Sequence, residues 1–218
     1  MSARFTVINA EQRSAEWHRA RAGRLTGSMA HTITMKGKKA GEESKTRHDY
    51  LLQLSGERFE GESQGSLFHT ADMERGIRLE PYAFGAYEAQ TGAMVLRSGF
   101  LSMNEHMAGC SLDGHTMNYT GIIELKCPKP VTHFRYMEMP SRLLDDYRNQ
   151  VSHNLWVTGA PYCDLCSFYD RVPKDKQLIR VRVERYDAGI TQYAEAAIQF
   201  LKEVDAHYQL MMNGGTTK

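Results

Sequence analysis

The chain has no long apolar run. Nowhere do its 218 residues approach the ~18 consecutive apolar positions of a membrane-spanning helix, and the first residues lack the apolar core of a secretory leader. A soluble, cytoplasmic chain that makes no membrane contact is expected. Cysteine is scarce too: four residues in a chain of this size favour reduced thiols over a disulfide framework. An excess of charge of either sign is also nearly missing, since 27 Lys and Arg face 26 Asp and Glu for a formal net charge of +1. The total therefore does not announce a binder of polyanions. Its distribution says more: through Arg47 there are ten Lys and Arg against four Asp and Glu, an excess of six, and the remainder carries a deficit of five. A basic arm set against an acidic site averages out in the total while still tracking phosphates locally, and an ordinary solvated charged face is the plainer alternative.

What is present is enough chain for one domain, residues 1–218, with a real core. Residues 9–22 are expected as a helix anchored by Trp17, with Gly23 as a left-handed stop. A second helix is expected from Thr26 or Ser28, both good N-caps. Exposed N–H groups at such a start form an anion site, to which Arg21 and Ser28 would add a fork of donors and a hydroxyl. A capping Ser28 and a solvated Arg21 are the alternative. The run KGKKAGEESK from Lys36 to Lys45 is expected as a mobile loop, Tyr50 to Leu54 as a short helix, and Gly56 to Ser66 as another loop. Pro81 follows Glu80, so the helix there is either kinked or restarts with Pro81 in its first turn, and Gly92 marks its end.

Farther on, a strand from Val95 to Leu101 is expected to pair with the segment ending at Asp113, and Leu144 to Val157 to form a helix with Leu144, Tyr147, Val151 and Leu155 on one stripe. Tyr162 to Tyr169 and Leu178 to Tyr186 are expected as strands joined by a charged turn. Cys163 and Cys166 invite a zinc site, but on a strand they point to opposite faces, and Cys110 and Cys127 supply no second close pair. Ile190, Ala194, Ala197, Leu201, Val204, Tyr208 and Met211 form a helical seam. The tail from Asn213 to Lys218 should fray. The fold class is α/β, a central mixed sheet of about five strands flanked by helices.

The chemistry concentrates between Gly109 and Pro128, GCSLDGHTMNYTGIIELKCP. Ile122, Ile123 and Leu125 favour a strand, in which Glu124 and Lys126 share a face and Leu125 packs behind them. Asp113-Gly114 ahead of the loop from His115 to Thr120 suggests a hairpin that returns Asp113 beside Glu124. Two carboxylates and an ammonium in one place suit a hard divalent cation such as Mg²⁺, which takes oxygen ligands and keeps several waters. Such an ion orients a water and clamps a phosphodiester's leaving oxygen, and Lys126 would offset charge on the phosphorus oxygens. A surface hairpin with an exposed ion pair, worth roughly 0–1 kcal/mol, is the alternative.

Asp113, ten intervening residues, then Glu124-Leu125-Lys126 resembles the core motif of the PD-(D/E)xK nuclease superfamily, with Leu112 at the often-lost Pro position. Ser111-Leu112-Asp113-Gly114 followed by Glu124-Leu125-Lys126-Cys127-Pro128 resembles the family of phage lambda exonuclease and the YqaJ-type viral recombinases. Three further blocks agree in order: Trp17-His18 with Arg21 and Thr26-Gly27-Ser28; Gly76 to Glu80-Pro81; and Tyr147 to Gln150-Val151 with Trp156-Val157-Thr158. The resemblance implies a restriction-endonuclease-like core and a Mg²⁺-dependent exonuclease (Mn²⁺ possible), with two ions per site, that digests one strand of linear duplex DNA from its 5′ end. A 3′ single strand is left for phage-type recombination in a bacterial or phage-infected cell. It also implies metal ligands at Glu80, Asp113, Glu124 and the Leu125 carbonyl, catalysis by Lys126, Glu124, Asp113 and Gln150, a 5′-phosphate pocket at Arg21 and Ser28, and a strand-separating wedge at Met73. A toroidal homotrimer around DNA and a partner single-strand annealing protein come with it. Its rivals are an endonuclease or nicking enzyme of the same superfamily and a non-catalytic DNA-end binding module. From the residues alone, Glu80 is equally a solvent-facing glutamate, Gln150 a polar helix residue and Met73 core filling.

Overall fold

The computed structural model describes residues 3–39, 41–64 and 70–214. The chain opens with strand β1 (Phe5–Ile8), and helix α1 (Ala15–Arg21) starts six residues later than expected because Ser14 is its N-cap, accepting from the Trp17 N–H. Gly23 takes a φ of +63°, and a Cβ there would stand 2.3 Å from Arg58 Cγ. The expected helix at Thr26 or Ser28 does not form. Leu25–Thr26 is instead a short strand, β2, followed by a single 3₁₀ turn, Gly27–Met29. The helix-terminus anion site expected there is therefore absent, since β2 is claimed by parallel pairing with a later strand.

Helix α2 (Lys45–Glu60) runs from the Ser44 cap to a left-handed Gly61, far beyond the short helix expected at Tyr50 to Leu54. Its first turn is polar and its last carries a single apolar residue, the exposed Phe59, which hid both from a search for apolar periodicity. The expected basic loop remains outside it, with Lys36 bridged to Glu43. Helix α3 (Ala71–Thr91) is capped by Thr70, carries Asp72 and Glu74 in its first turn, and ends at Gly92 with φ +68°. Pro81 lies inside it without a restart. The packing of Leu79, Ala83, Phe84 and Tyr87 offsets the lost backbone bond.

Strand β3 (Phe100–Met103) follows, then β4 (Ala108–Ser111), β5 (Gly114–His115) and β6 (Ile122–Lys126). The expected strand from Val95 begins late, with Leu96 making only an isolated bridge to His115. After Pro130 comes α4 (Pro130–Glu138), which sequence reasoning missed, then α5 (Ser141–Thr158), β7 (Tyr162–Phe168), β8 (Leu178–Glu184) and α6 (Asp187–Met212). The fraying expected for the tail falls, for residues 215–218, outside the described residues.

In place of one central sheet of about five strands, the described residues form two four-stranded sheets, ordered β1-β3-β4-β2 and β5-β6-β7-β8. Only Leu112 and Asp113 separate β4 from β5, so Asp113 stands at the seam between the sheets. One face of the second sheet packs on α3 through Ile123, Leu125, Cys166 and Phe168. The other packs on α5 and α6 through Ile122, Cys163 and Leu165. Cys163 and Cys166 thus face opposite ways; with Cys110 they are buried and free, and Cys127 is half-buried. A fully buried Asp164 on β7 accepts from Tyr87 Oη at 2.7 Å and from Arg182 Nε and Nη2 at 2.9 Å each, which fastens α3 to the sheet. On α6 the expected seam is buried at Ile190, Ala197, Leu201 and Val204, while Met211 is exposed.

Candidate active site

The β5–β6 hairpin sets Gly114 opposite Ile123 and His115 opposite Ile122. Gly114 is confined, since a Cβ there would meet Val95 Cγ1 at 2.4 Å. At the tip, Asn118 and Tyr119 hold φ of +56° and +55°, and the Thr116 N–H closes the turn on the Gly121 carbonyl at 2.9 Å. Asp113 is thereby returned alongside β6, where its Oδ2 accepts from the Leu125 N–H at 2.6 Å. The side chain takes the place of a ladder partner just where the first sheet gives way to the second.

On β6 the alternation works as the sequence requires. Leu125 faces α3, and Glu124 and Lys126 face α5. Lys126 Nζ donates to Glu124 Oε1 at 2.7 Å and to Gln150 Oε1 at 3.0 Å, and lies 4.6 Å from the Tyr147 ring centroid. Gln150 Nε2 donates to the same Glu124 oxygen at 2.6 Å. Asn154 Nδ2 donates to Glu124 Oε2 at 3.0 Å, a contact the sequence reading did not find. Tyr147, Gln150 and Asn154 follow three- and four-residue spacing on α5, which was the available signal. Gly27 admits Asn154 this close, because a Cβ there would sit 2.5 Å from Asn154 Oδ1.

The charges are crowded. Burial first, and then Glu124, push the Asp113 carboxyl up to about 8, against the opposing pull of Lys126 and the Leu125 N–H. Burial alone would lower Lys126, but Glu124 and Asp113 together hold it above its ordinary value. Two carboxylates sharing one ammonium leave excess negative charge, and a proton on Asp113 relieves it. A hard cation would relieve it as well, and the donors within reach are oxygens.

Glu80 is brought to the same region by α3. With Asp113, Leu125, Met73 and Arg13 it lines a cavity of about 170 Å³, and its Oε1 lies 3.5 Å from Arg97 Nη2. Convergence of three carboxylates on one point is not what the described residues display. They contain no group of three or more His, Cys, Asp or Glu side chains placed to hold an ion. The cause is Glu124, whose two oxygens are turned to Lys126, Gln150 and Asn154 on the far side of β6. Charge and donor chemistry fit a divalent cation; the gathered ligand set is limited to Glu80, Asp113 and Leu125 at one cavity, with Glu124 adjoining Asp113 electrostatically.

A larger cavity of about 530 Å³ adjoins it, lined by Arg21, Ser28 and Met73 among others. Arg21 is held with its guanidinium 4.0 Å from the Trp17 ring centroid and 3.5 Å from Thr26 Oγ1. Trp17 is itself pinned by a 2.8 Å bond from its Nε1–H to Ser111 Oγ on β4. Burial lowers the Arg21 pKa from its ordinary value, which still leaves a cation. The Tyr50 hydroxyl, also on this wall, is buried without a hydrogen-bond partner, and burial pushes its pKa up to about 12. Arg21 and Ser28 therefore share a cavity even though no helix begins there, and Met73 borders both cavities.

The YqaJ-like viral recombinase domain matches residues 16–161, well over half of the chain. The chain belongs to the YqaJ-like viral recombinase family. A search of curated proteins finds no match. Among solved structures, an alkaline exonuclease from Laribacter hongkongensis is 30% identical, with a TM-score of 0.78 and coverage of 92% of this chain and 97% of that one. The same enzyme in complex with dAMP gives a TM-score of 0.81 at the same identity and coverage. A phage-related exonuclease from Haemophilus somnus 129PT shares the fold at 16% identity and a TM-score of 0.68, covering 86% of this chain and 96% of that one. The α/β architecture of this YqaJ-like chain is accordingly the restriction-endonuclease-like one. Among its described residues no helix is long and apolar enough to cross a membrane.

Proposed function

We propose that the chain is a divalent-cation-dependent exonuclease that degrades one strand of linear double-stranded DNA from a 5′-phosphorylated end, leaving a 3′ single strand for recombination. The coarser statement, a nuclease acting on DNA, rests on the family and on the exonuclease relatives. The finer one is carried by one observation: the Arg21 and Ser28 cavity and the acidic cavity share Arg13 and Met73 as walls. An anion held in the first would present the neighbouring phosphodiester to the second. A relative that holds dAMP, a 5′-mononucleotide, supports nucleotide-sized release.

Glu80, Asp113 and the Leu125 carbonyl, gathered at one cavity, are the groups that would hold Mg²⁺ or Mn²⁺, as one ion or two, and Glu124 would join them on exchanging its bonds to Lys126 or Gln150 for the cation. When bound, such an ion supplies a water of lowered pKa and a clamp on the leaving oxygen. Lys126, fixed by Glu124 and Gln150, offers an ammonium to the oxygens on which charge grows. Gln150 and Asn154 hold Glu124 in place, so that its charge is aimed and does not wander. Arg21 and Ser28 hold the terminal phosphate, and Met73 stands where the end of the duplex would part. The same proposal includes a ring-shaped homotrimer and a single-strand annealing partner, both resting on the family resemblance.

The test is digestion of end-labelled linear duplex with and without a 5′-phosphate, in Mg²⁺ and in chelator, beside covalently closed plasmid. Cation-dependent release of 5′-nucleotides from the phosphorylated duplex, with the circle intact, is expected. Efficient cutting of the circle would replace the exonuclease proposal with an endonuclease.

A further inference from the structure

We propose that Arg13 is a substrate-binding residue, holding through its guanidinium the phosphodiester that lies against Glu80 and Asp113. This rests on the proposed nuclease site and adds a residue that neither the motif nor the expected ligand set contains. Arg13 lines both the Arg21 and Ser28 cavity and the acidic cavity. In the first it is one of several cations, with Arg21 and Arg24. In the second it is the only cationic side chain among the lining residues, facing Glu80 and Asp113. A phosphodiester brought to two carboxylates and the cation they would hold still has non-bridging oxygens free, and a fixed fork of donors on the cavity wall would orient them. Lys126 is bonded to Glu124 and Gln150, and Arg97 is engaged with Glu80 at 3.5 Å, so Arg13 is the cation lining this cavity that no carboxylate holds.

The backbone supports the same conclusion. Arg13 is exposed and holds a φ of +73°, a left-handed conformation that favours glycine. It occupies the turn closed by the Ser14 N–H on the Glu11 carbonyl at 3.0 Å, just before the α1 cap. Gln12 Nε2, donating to the Leu112 carbonyl at 3.4 Å, ties that turn to the residue before Asp113. The guanidinium is thus carried by a turn at the edge of both cavities, and among the described residues no carboxylate is within ion-pair distance of it. Its fork of donors matches two phosphate oxygens.

The experiment compares the parent with Arg13→Gly and Arg13→Lys, using 5′-phosphorylated and 5′-hydroxyl labelled duplexes in Mg²⁺, with thermal midpoints recorded for each protein. Glycine fits the backbone, so the Arg13→Gly midpoint should equal or exceed the parent's. Its KM should rise by about tenfold, the scale of one lost charge-assisted phosphate contact, by the same factor on both substrates, and Arg13→Lys should recover part of it. A lowered midpoint for Arg13→Gly would make Arg13 a structural residue and overturn the proposal, as would a parental KM. A loss confined to the 5′-phosphorylated duplex would place Arg13 on the terminal phosphate instead, also overturning it. Asp113→Asn in the same assay separates the two levels: an active Asp113→Asn refutes the nuclease site itself, whereas an inactive one beside a fully active Arg13→Gly refutes the role of Arg13 alone.

Discussion

Replacing Lys126 with methionine removes one charge and keeps most of the stem volume, so it isolates the ammonium. At the observed 2.7 Å from Glu124 Oε1, with an effective dielectric of about 20, the pair attraction is roughly 6 kcal/mol. Desolvation of the two ions, whose side chains are 19% and 4% exposed, offsets much of that. Leaving Glu124 buried without its cation then costs about 3–5 kcal/mol, or roughly 6–20 °C of thermal midpoint for a chain of this length. Proton uptake should soften the loss. With its opposing pull gone, the Asp113 carboxyl should rise further above about 8. The kinetic cost is that of removing one fixed charge aimed at the transition state, about a hundredfold to a thousandfold in kcat. Single-turnover digestion of end-labelled duplex at saturating Mg²⁺, beside thermal melts from pH 6 to 9, reads both effects. A variant that melts lower yet cleaves at the parental rate would refute the role given to Lys126, and unchanged melting would refute the burial argument.

Three further outcomes are expected. The Asp113 carboxyl is raised from 3.8 to about 8, so the folded state holds a proton that the unfolded state gives up above 3.8. That stabilisation is complete below about 3.8 and is lost as pH climbs through about 8. Chelator-treated protein should melt lower at pH 9 than at pH 6, with a smaller difference in Asp113→Asn, and added Mg²⁺ should restore the parent most at the alkaline end; equal slopes for the two proteins would contradict it. Asp164 is the reverse case: burial opposes its charge, but Arg182 and Tyr87 hold its carboxyl below the usual range. Its contribution is present above the ordinary carboxylate pKa and fades in acid, so Asp164→Asn should lower the midpoint at pH 7 by several degrees and narrow the gap to the parent toward pH 3. Arg21→Ala should reduce cleavage of a 5′-phosphorylated duplex about tenfold or more while leaving the 5′-hydroxyl duplex nearly unaffected; an equal loss on both would remove Arg21 from the terminal phosphate.

What the sequence by itself determined is local. Strand alternation placed Glu124 and Lys126 on one face of β6 and Leu125 on the other, and the loop from His115 to Thr120, with Asn118 and Tyr119 at its tip, brought the hairpin back so that Asp113 meets Leu125. The Leu144 to Val157 stripe produced α5, with Gln150 turned toward Glu124. Polar-ended α2 and the nine-residue α4 were not legible, because helices of that kind are fixed by what they pack on and not by an apolar period of their own. The Thr26 and Ser28 segment shows the limit most plainly. Its capping residues favour a helix, yet pairing with β4 makes it a strand, since a hydrogen-bonded partner from another part of the chain outweighs a local preference. Only the tertiary structure decided that Arg13, Arg21, Ser28 and Met73 border one trough with Glu80 and Asp113 beyond it, and that Asn154 and not solvent completes the shell of Glu124. Such neighbours are far apart in the chain, and their meeting depends on how α3, α5 and the two sheets are stacked.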